Sequence, residues 1–182
     1  MELVLITRTV HGVTLLLQQG NIVEVEADAI VNAANAQLAG GGGVDGAIHR
    51  AAGPSIMAEC RKIGGCPTGS AVATSAGNLK AHYIFHAVGP IYAYHKDEAR
   101  LLASAYQACL DLAEQYHIRS IAFPSLSTGV YGYPLDDASL IALSTMIEHC
   151  QQPTSLQRII VVLFGEHAYQ IFAQSLAQLL PA

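Results

Sequence analysis

The chain has 182 residues, 52% of them hydrophobic and 13% charged, with a formal net charge of −5. That length suits one ordinary domain, residues 1–182, and so apolar a composition excludes a disordered or solvating segment. Nine Lys plus Arg against fourteen Asp plus Glu argue against a domain that grips nucleic acid directly by neutralising many phosphates.

Apolar runs such as residues 159–164 fall far short of the roughly 20 residues that span a bilayer, and the first ten residues lack the basic and apolar blocks of a secretory leader. A cytoplasmic address with no membrane partner is the expectation. Cys60, Cys66, Cys109 and Cys150 form no CxxC pair and show no zinc-like spacing with histidine. Buried free thiols and no metal are expected, although His49, Cys60 and Cys66 can converge in space.

In chain order, residues 13–17 form a short β-prone run that residues 3–6 can pair with. Residues 29–31 form a second apolar run, after which Asn32, Asn35 and four consecutive glycines, 40–43, mark a loop. Val44, Ala47, Ile48, Ala51 and Ala52 recur at helical spacing and stop at Gly53-Pro54. Ser55 opens a further helix that Gly64-Gly65 ends, and residues 71–74 and 83–88 read as strands. Leu102, Ala105, Tyr106, Cys109, Leu112, Ala113 and Tyr116 keep an apolar stripe at spacings of three and four, predicting an amphipathic helix from about Glu98. A strand at 120–123, a loop at 124–134, a helix to about Cys150, a strand at 158–164 and a closing helix to about Leu179 complete the alternation. The fold class is α/β, with helices on both faces of a largely parallel sheet.

In such sheets ligands bind beyond the C-terminal ends of the strands, and the loops at 35–46 and 125–134 have the composition of binding loops. Glycines let the backbone approach a ligand, and Gly43 leads into a helix N-terminus that favours phosphate. No Lys or Arg occurs between Arg8 and Arg50 or between Arg119 and Arg158, so a phosphate held here is held mainly by backbone amides. Gly41, Gly43 and Gly46 fit GxGxxG, but Glu59, about where a dinucleotide fold needs an acidic strand end, falls in a helical pattern. No GK[ST] follows, which excludes a P-loop.

Asp45 is the only carboxylate between Asp28 and Glu59. It can hold and polarise a water beside a phosphate, or it can cap the helix; the residues alone leave both open. Asn32 and Asn35 suit sugar hydroxyls, since Asn both donates and accepts, or else satisfy turn backbone. Ser125, Ser127 and Thr128 lack the GxSxG nucleophile elbow, and His86 reads as a core histidine. Tyr131 and Tyr133 can stack on a sugar or base, or cover the core beneath the loop.

Asn32-Ala33-Ala34-Asn35, the glycine run with residues 44–53, and Ser127-Thr128-Gly129-Val130-Tyr131-Gly132-Tyr133-Pro134 together resemble the macrodomain family, in its MacroD-type branch. Residues 64–69 and 86–90 extend the match to about residues 13–142. The resemblance implies a three-layer α/β/α fold with a mixed central sheet and an ADP-ribose cleft across its crest. It implies hydrolysis of mono-ADP-ribose from acidic side chains of modified proteins, and deacetylation of O-acetyl-ADP-ribose, with no cofactor. Carried over by position, Asn35 and Asp45 are catalytic, holding the distal ribose and orienting the water. Gly41, Gly42, Gly43 and Val44 clasp the diphosphate with Ser127, Thr128, Gly129, Val130 and Tyr131, and Tyr133 lies beside the distal ribose or in the loop wall. From its residue type and place at a strand end, Asn32 is expected as a further sugar contact. Asn21 and Ile22 stand where the family usually has Gly-Asp-Ile, whose Asp accepts from the adenine amino group. Asn35 and Asp45 together favour an enzyme over the alternatives, a noncatalytic ADP-ribose reader or a regulatory partner of another enzyme.

Overall fold

A computed structural model describes residues 5–182. The pairing expected of Leu3 and Val4 lies outside them, and the first strand, β1, runs Leu5–Val10. It pairs antiparallel with β2, Val13–Gln19, and a single 3₁₀ turn, Ile22–Glu24, leads on to β3, Ala29–Ala33. Two helices follow, α1 at Gly43–Ala52 and α2 at Ser55–Ile63, closed by Gly53 and by a left-handed Gly64. Then come β4, Ala71–Ser75; β5, Tyr83–Ala87; α3, Glu98–Gln115; β6, Ser120–Phe123; α4, Leu135–Cys150; β7, Arg158–Leu163; and α5, Glu166–Leu179.

The seven strands form one mixed sheet in the order β1-β2-β7-β6-β3-β5-β4. The neighbours from β2 to β5 are parallel, while the edge strands β1 and β4 are antiparallel to theirs. Period-two alternation sends adjacent residues to opposite faces. Val31, Ile121, Phe85 and Ile159 join the core beneath α3, α4 and α5, whereas Ile30, Ala122, Ile84 and Ile160 join the core beneath α1 and α2. Three layers result, α/β/α. The predicted stripe of α3 is its buried face, with Leu102, Ala105, Tyr106, Cys109 and Ala113 inside.

The chain leaves β3 through α1 and α2 on one face and returns through β4 into β5; it then leaves β5 through α3 on the other face and returns in β6. Strand β3 lies between β5 and β6. The connections therefore diverge around β3, which opens a crevice beyond its C-terminal end.

Candidate functional site

A cleft of about 280 Å³ occupies that crevice. The loop after β3 lines it with Asn35, Gly41, Gly42, Gly43, Val44 and Asp45, and the loop after β6 with Ser125, Leu126, Ser127, Gly129, Val130 and Tyr131. Ala33, Ala34 and Gly89 complete the lining, which holds no Lys or Arg.

The second loop is pinned from below. The Leu126 amide donates to the hydroxyl of Tyr106, a fully buried residue of α3, at 2.9 Å. Tyr133 N donates to Ser127 O, and Tyr92 N to Tyr131 O, each at 2.9 Å. Between these anchors Ser127 takes a left-handed backbone, φ 67°, a conformation that costs on the order of 1–3 kcal/mol in a non-glycine residue. Its Oγ lies buried in the cleft lining with no hydrogen-bond partner.

The first loop meets α1 at Gly42, where no side chain caps the helix, so the first-turn amides have neither intrahelical nor side-chain acceptors. A Cβ on Gly46 would stand 2.5 Å from the Gly41 carbonyl oxygen, so this close fold-back of loop onto helix admits only glycine there. Asp45, 6% exposed, does not cap the helix. Its Oδ1 accepts from Asn32 Nδ2 at 2.8 Å and lies 3.3 Å from His49 Nε2, one turn along α1. Its Oδ2 faces the glycine loop: a Cβ on Gly41 would stand 3.4 Å from it.

Several expected ligand contacts lie elsewhere. Asn32, fully buried, lies outside the cleft lining, because alternation puts it on the face of Ile30, under α1. There its amide sits between Asp45 and His86, whose Nδ1 is 3.1 Å away. Asn35 lines the cleft but binds its own loop, donating to Gly40 O at 2.9 Å and accepting from Ala39 N at 3.0 Å. Asn21 Oδ1 accepts from Val23 N at 3.2 Å, capping the 3₁₀ turn, and Ile22 is buried beneath it; neither lines the cleft. Thr128 is bonded to Ser125, their hydroxyls 2.7 Å apart, and Tyr133 is buried against Tyr92; both stand behind the loop. Tyr131 faces the cleft, and burial together with the Asp45 carboxylate raises its hydroxyl above the usual range.

Sequence reasoning weighed His49 only beside Cys60 and Cys66 and missed its pairing with Asp45, although the helical spacing of four signals it. It also read the last strand as running to Phe164. The strand ends at Leu163, paired with Gln19 at the end of β2, and Phe164 beyond it is 82% exposed.

His49, Cys60 and His86 bring their donor atoms within 4.8 Å of one another, whereas Cys66, its thiol near Pro67 O, is not in this group. The three do not fit a ligand set. Asn32 Nδ2, which donates to the Asp45 carboxylate, lies 3.1 Å from His86 Nδ1, so Nδ1 accepts and the ring proton is on Nε2, where a metal would need a lone pair. Burial also pushes the Cys60 thiol up, away from the thiolate form. Burial above all, with His49 adding to it, pushes His86 down to about 4, which keeps its ring neutral.

The sequence model of the macro domain matches residues 31–142, a span that contains both cleft loops and every residue of the lining. The chain belongs to the macro domain family. This macro domain is 51% identical over 168 residues to a macro domain-containing protein of Caldanaerobacter subterraneus, covering 90% of this chain and 95% of that one. It is 48% identical over 165 residues to a Salmonella gallinarum protein named O-acetyl-ADP-ribose deacetylase, covering 88% and 92% of the two chains. Among solved structures, the Oceanobacillus iheyensis macrodomain with ADP superposes with a TM-score of 0.95 at 40% identity, covering 98% of each chain.

Proposed function

We propose that this macro domain acts as a single unit, binds ADP-ribose in the cleft, and hydrolyses its esters: mono-ADP-ribose on acidic side chains, and O-acetyl-ADP-ribose. The observation that carries the reading is the meeting, in one cation-free cleft, of an uncapped helix N-terminus, the unpartnered Ser127 Oγ, and the Asp45 carboxylate. The first two are donors that suit a diphosphate. The third is an acceptor beside them, which suits a water rather than a second anion. The deacetylase name of the Salmonella relative and the ADP bound by the Oceanobacillus neighbour support the same reading.

The diphosphate lies across the amides of Gly41, Gly42, Gly43 and Val44 and the loop from Ser127 to Tyr131. The adenine reaches toward Asn21 and the exposed face of Phe164, which can stack on it. The distal ribose lies near Asn35, whose Nδ2 keeps a second hydrogen beyond its bond to Gly40. Asp45 Oδ2 holds a water, and Asp45 or the neighbouring phosphate takes its proton as the oxygen attacks. In deacetylation the water oxygen adds to the acetyl carbon, the bond to the ribose oxygen breaks, and the proton returns to that oxygen, giving acetate and ADP-ribose. For an acidic side chain the leaving group at the sugar is a carboxylate, far more stable than an alkoxide, so a site with no strong acid suffices.

Incubation with glutamate-linked mono-ADP-ribosylated protein and, separately, with O-acetyl-ADP-ribose, followed by mass spectrometry of both products, tests the reading. Asp45→Ala is expected to lower both rates by roughly 10²-fold, the scale for losing a positioned proton-transfer group, while ADP-ribose binding is retained. Wild-type turnover in that variant removes Asp45 from the mechanism.

A further inference from the structure

Beneath the cleft a buried polar chain runs from Thr74 through His86 and Asn32 to Asp45. Among the described residues the side-chain N and O atoms that are buried without a partner are Asn32 Oδ1 and Ser127 Oγ. The Ser127 hydroxyl faces the cleft, but the Asn32 carbonyl oxygen does not, and leaving it unpaired costs on the order of 1–3 kcal/mol. The orphan needs a cause, since turning the amide over would move the oxygen to the place now held by Nδ2.

The cause lies in the protons. Asn32 Nδ2 can only donate, so the His86 Nδ1 that it meets accepts and the ring hydrogen sits on Nε2, 2.8 Å from Thr74 Oγ1, a hydroxyl oxygen able to receive it while Ser75 O receives its own proton. His86 Nδ1 is then a bare acceptor. Asn32 Nδ2 has two hydrogens and meets two acceptors, His86 Nδ1 at 3.1 Å and Asp45 Oδ1 at 2.8 Å. With the amide reversed, its oxygen would confront both a ring lone pair and a carboxylate. The histidine on β5 and the carboxylate on α1 thus demand the same end of the amide on β3, and the ring holds that end where the carboxylate meets it.

We propose that His86, held as the Nε2–H tautomer by Thr74, is a positioning residue that aims the Asn32 amide at Asp45 and so fixes the orientation of that carboxylate toward the water it holds. The inference rests on the ester-hydrolase reading for its kinetic consequence, but its hydrogen-bond content is independent of any activity. The low basicity of His86 agrees with it, because a charged ring would carry a proton on Nδ1 and expel the Asn32 amide.

Nitrogen NMR of the wild-type protein near neutral pH reads the first step: the buried ring of His86 is expected with Nε2 protonated and Nδ1 bare, and the reverse tautomer overturns the proposal. Kinetics reads the second. His86→Leu removes the acceptor and is expected to lower kcat for O-acetyl-ADP-ribose by roughly 10-fold to 100-fold with the ADP-ribose Kd nearly unchanged, as for a misplaced reacting group. His86→Asn, whose side-chain oxygen can stand where Nδ1 stood, is expected to restore most of that rate. Leucine and asparagine variants with equal kcat, or a His86→Leu effect that adds in full to that of Asn32→Leu, mean that His86 does not act through Asn32. Should wild type hydrolyse neither ester, the catalytic reading fails. The tautomer, and the shift of the Asn32 side-chain amide protons in His86→Leu but not in His86→Asn, then decide the positioning claim by themselves.

Discussion

In the proposed binding mode Asn21 has two tasks, capping the 3₁₀ turn and meeting the adenine, that a carboxylate could divide. Its Oδ1 already accepts from Val23 N, and its remaining amide atom is a donor, so a base amino group arriving there must share the capped oxygen. In Asn21→Asp one oxygen keeps the cap and the other is free and charged. ADP-ribose should bind roughly five-fold tighter, the worth of about 1 kcal/mol between a neutral and a charged acceptor. Calorimetric titration checks this, and unchanged or weaker binding means that Asn21 does not face the adenine. His86 has a consequence for stability as well. Its folded value, about 4, lies below the ordinary 6.5, so between these pH values the unfolded chain binds more protons than the native one. Its contribution is fully present above pH about 6.5 and lost as pH falls to about 4, amounting to roughly 3 kcal/mol. Glu59 and Glu114, whose hydrogen bonds to Ser75 and Thr154 help hold them below the usual carboxylate range, lose stability in the same direction at lower pH. Urea midpoints from pH 8 to pH 4 should fall steeply for wild type and less steeply for His86→Asn.

At the scale of elements, the cleft depends on segments packed so closely that single methyl groups separate binding from stability. A Cβ on Gly89, just beyond β5, would collide with Ser127 Oγ, the tip of a side chain that can rotate away. Gly89→Ala should therefore cost little stability but move the hydroxyl, weakening ADP-ribose roughly ten-fold, as expected for a lost hydrogen bond to a charged group. In Gly46→Ala the obstacle is the Gly41 backbone carbonyl, which cannot rotate aside, so the loop after β3 must shift on α1. That variant should lose both stability, by about 1–3 kcal/mol, and binding. Thermal melts paired with titrations distinguish the two, and equal melting losses would show that Ser127 is as rigidly held as the backbone.

Across the whole molecule the charge is negative, and the proposed diphosphate site has no Lys or Arg in its lining. Amides and one hydroxyl act only at hydrogen-bond range, and a fixed dipole inside a cleft is screened less than exposed charges are. ADP-ribose affinity should therefore change little between low and moderate salt. A steep loss in the same titration would point to Lys or Arg at the diphosphate and against amide recognition. The gathering of the strand ends follows from topology too. Parallel β2, β7, β6, β3 and β5 all point their C-terminal ends to one crest, which brings Asn21, Phe164, Ser127, Asn35 and Gly89 to a single edge although they are far apart in the chain.

Much of this was legible in the residues. The α3 stripe, the stop of α1 at Gly53-Pro54 and the end of α2 at Gly64 are local signals, because helix period and glycine conformation depend on neighbours three or four positions away. Both cleft loops were likewise marked by composition, since a backbone that must approach an anion has to dispense with side chains. Less legible was which way each polar residue faces. Asn32 reads as a ligand contact beside Asn35, but one step along a strand reverses the face, and it turns inward to a histidine 54 positions on. Asp45, balanced in the sequence between a cap and a water-binding group, is bonded to side chains from other turns and strands. Phe164 continues an apolar run and yet leaves the sheet. Each of these outcomes was set by strand order and register, which bring residues distant in the chain within hydrogen-bond reach of one another. Bonds at that range are decided by tertiary neighbours, and no periodicity of the chain records who they are.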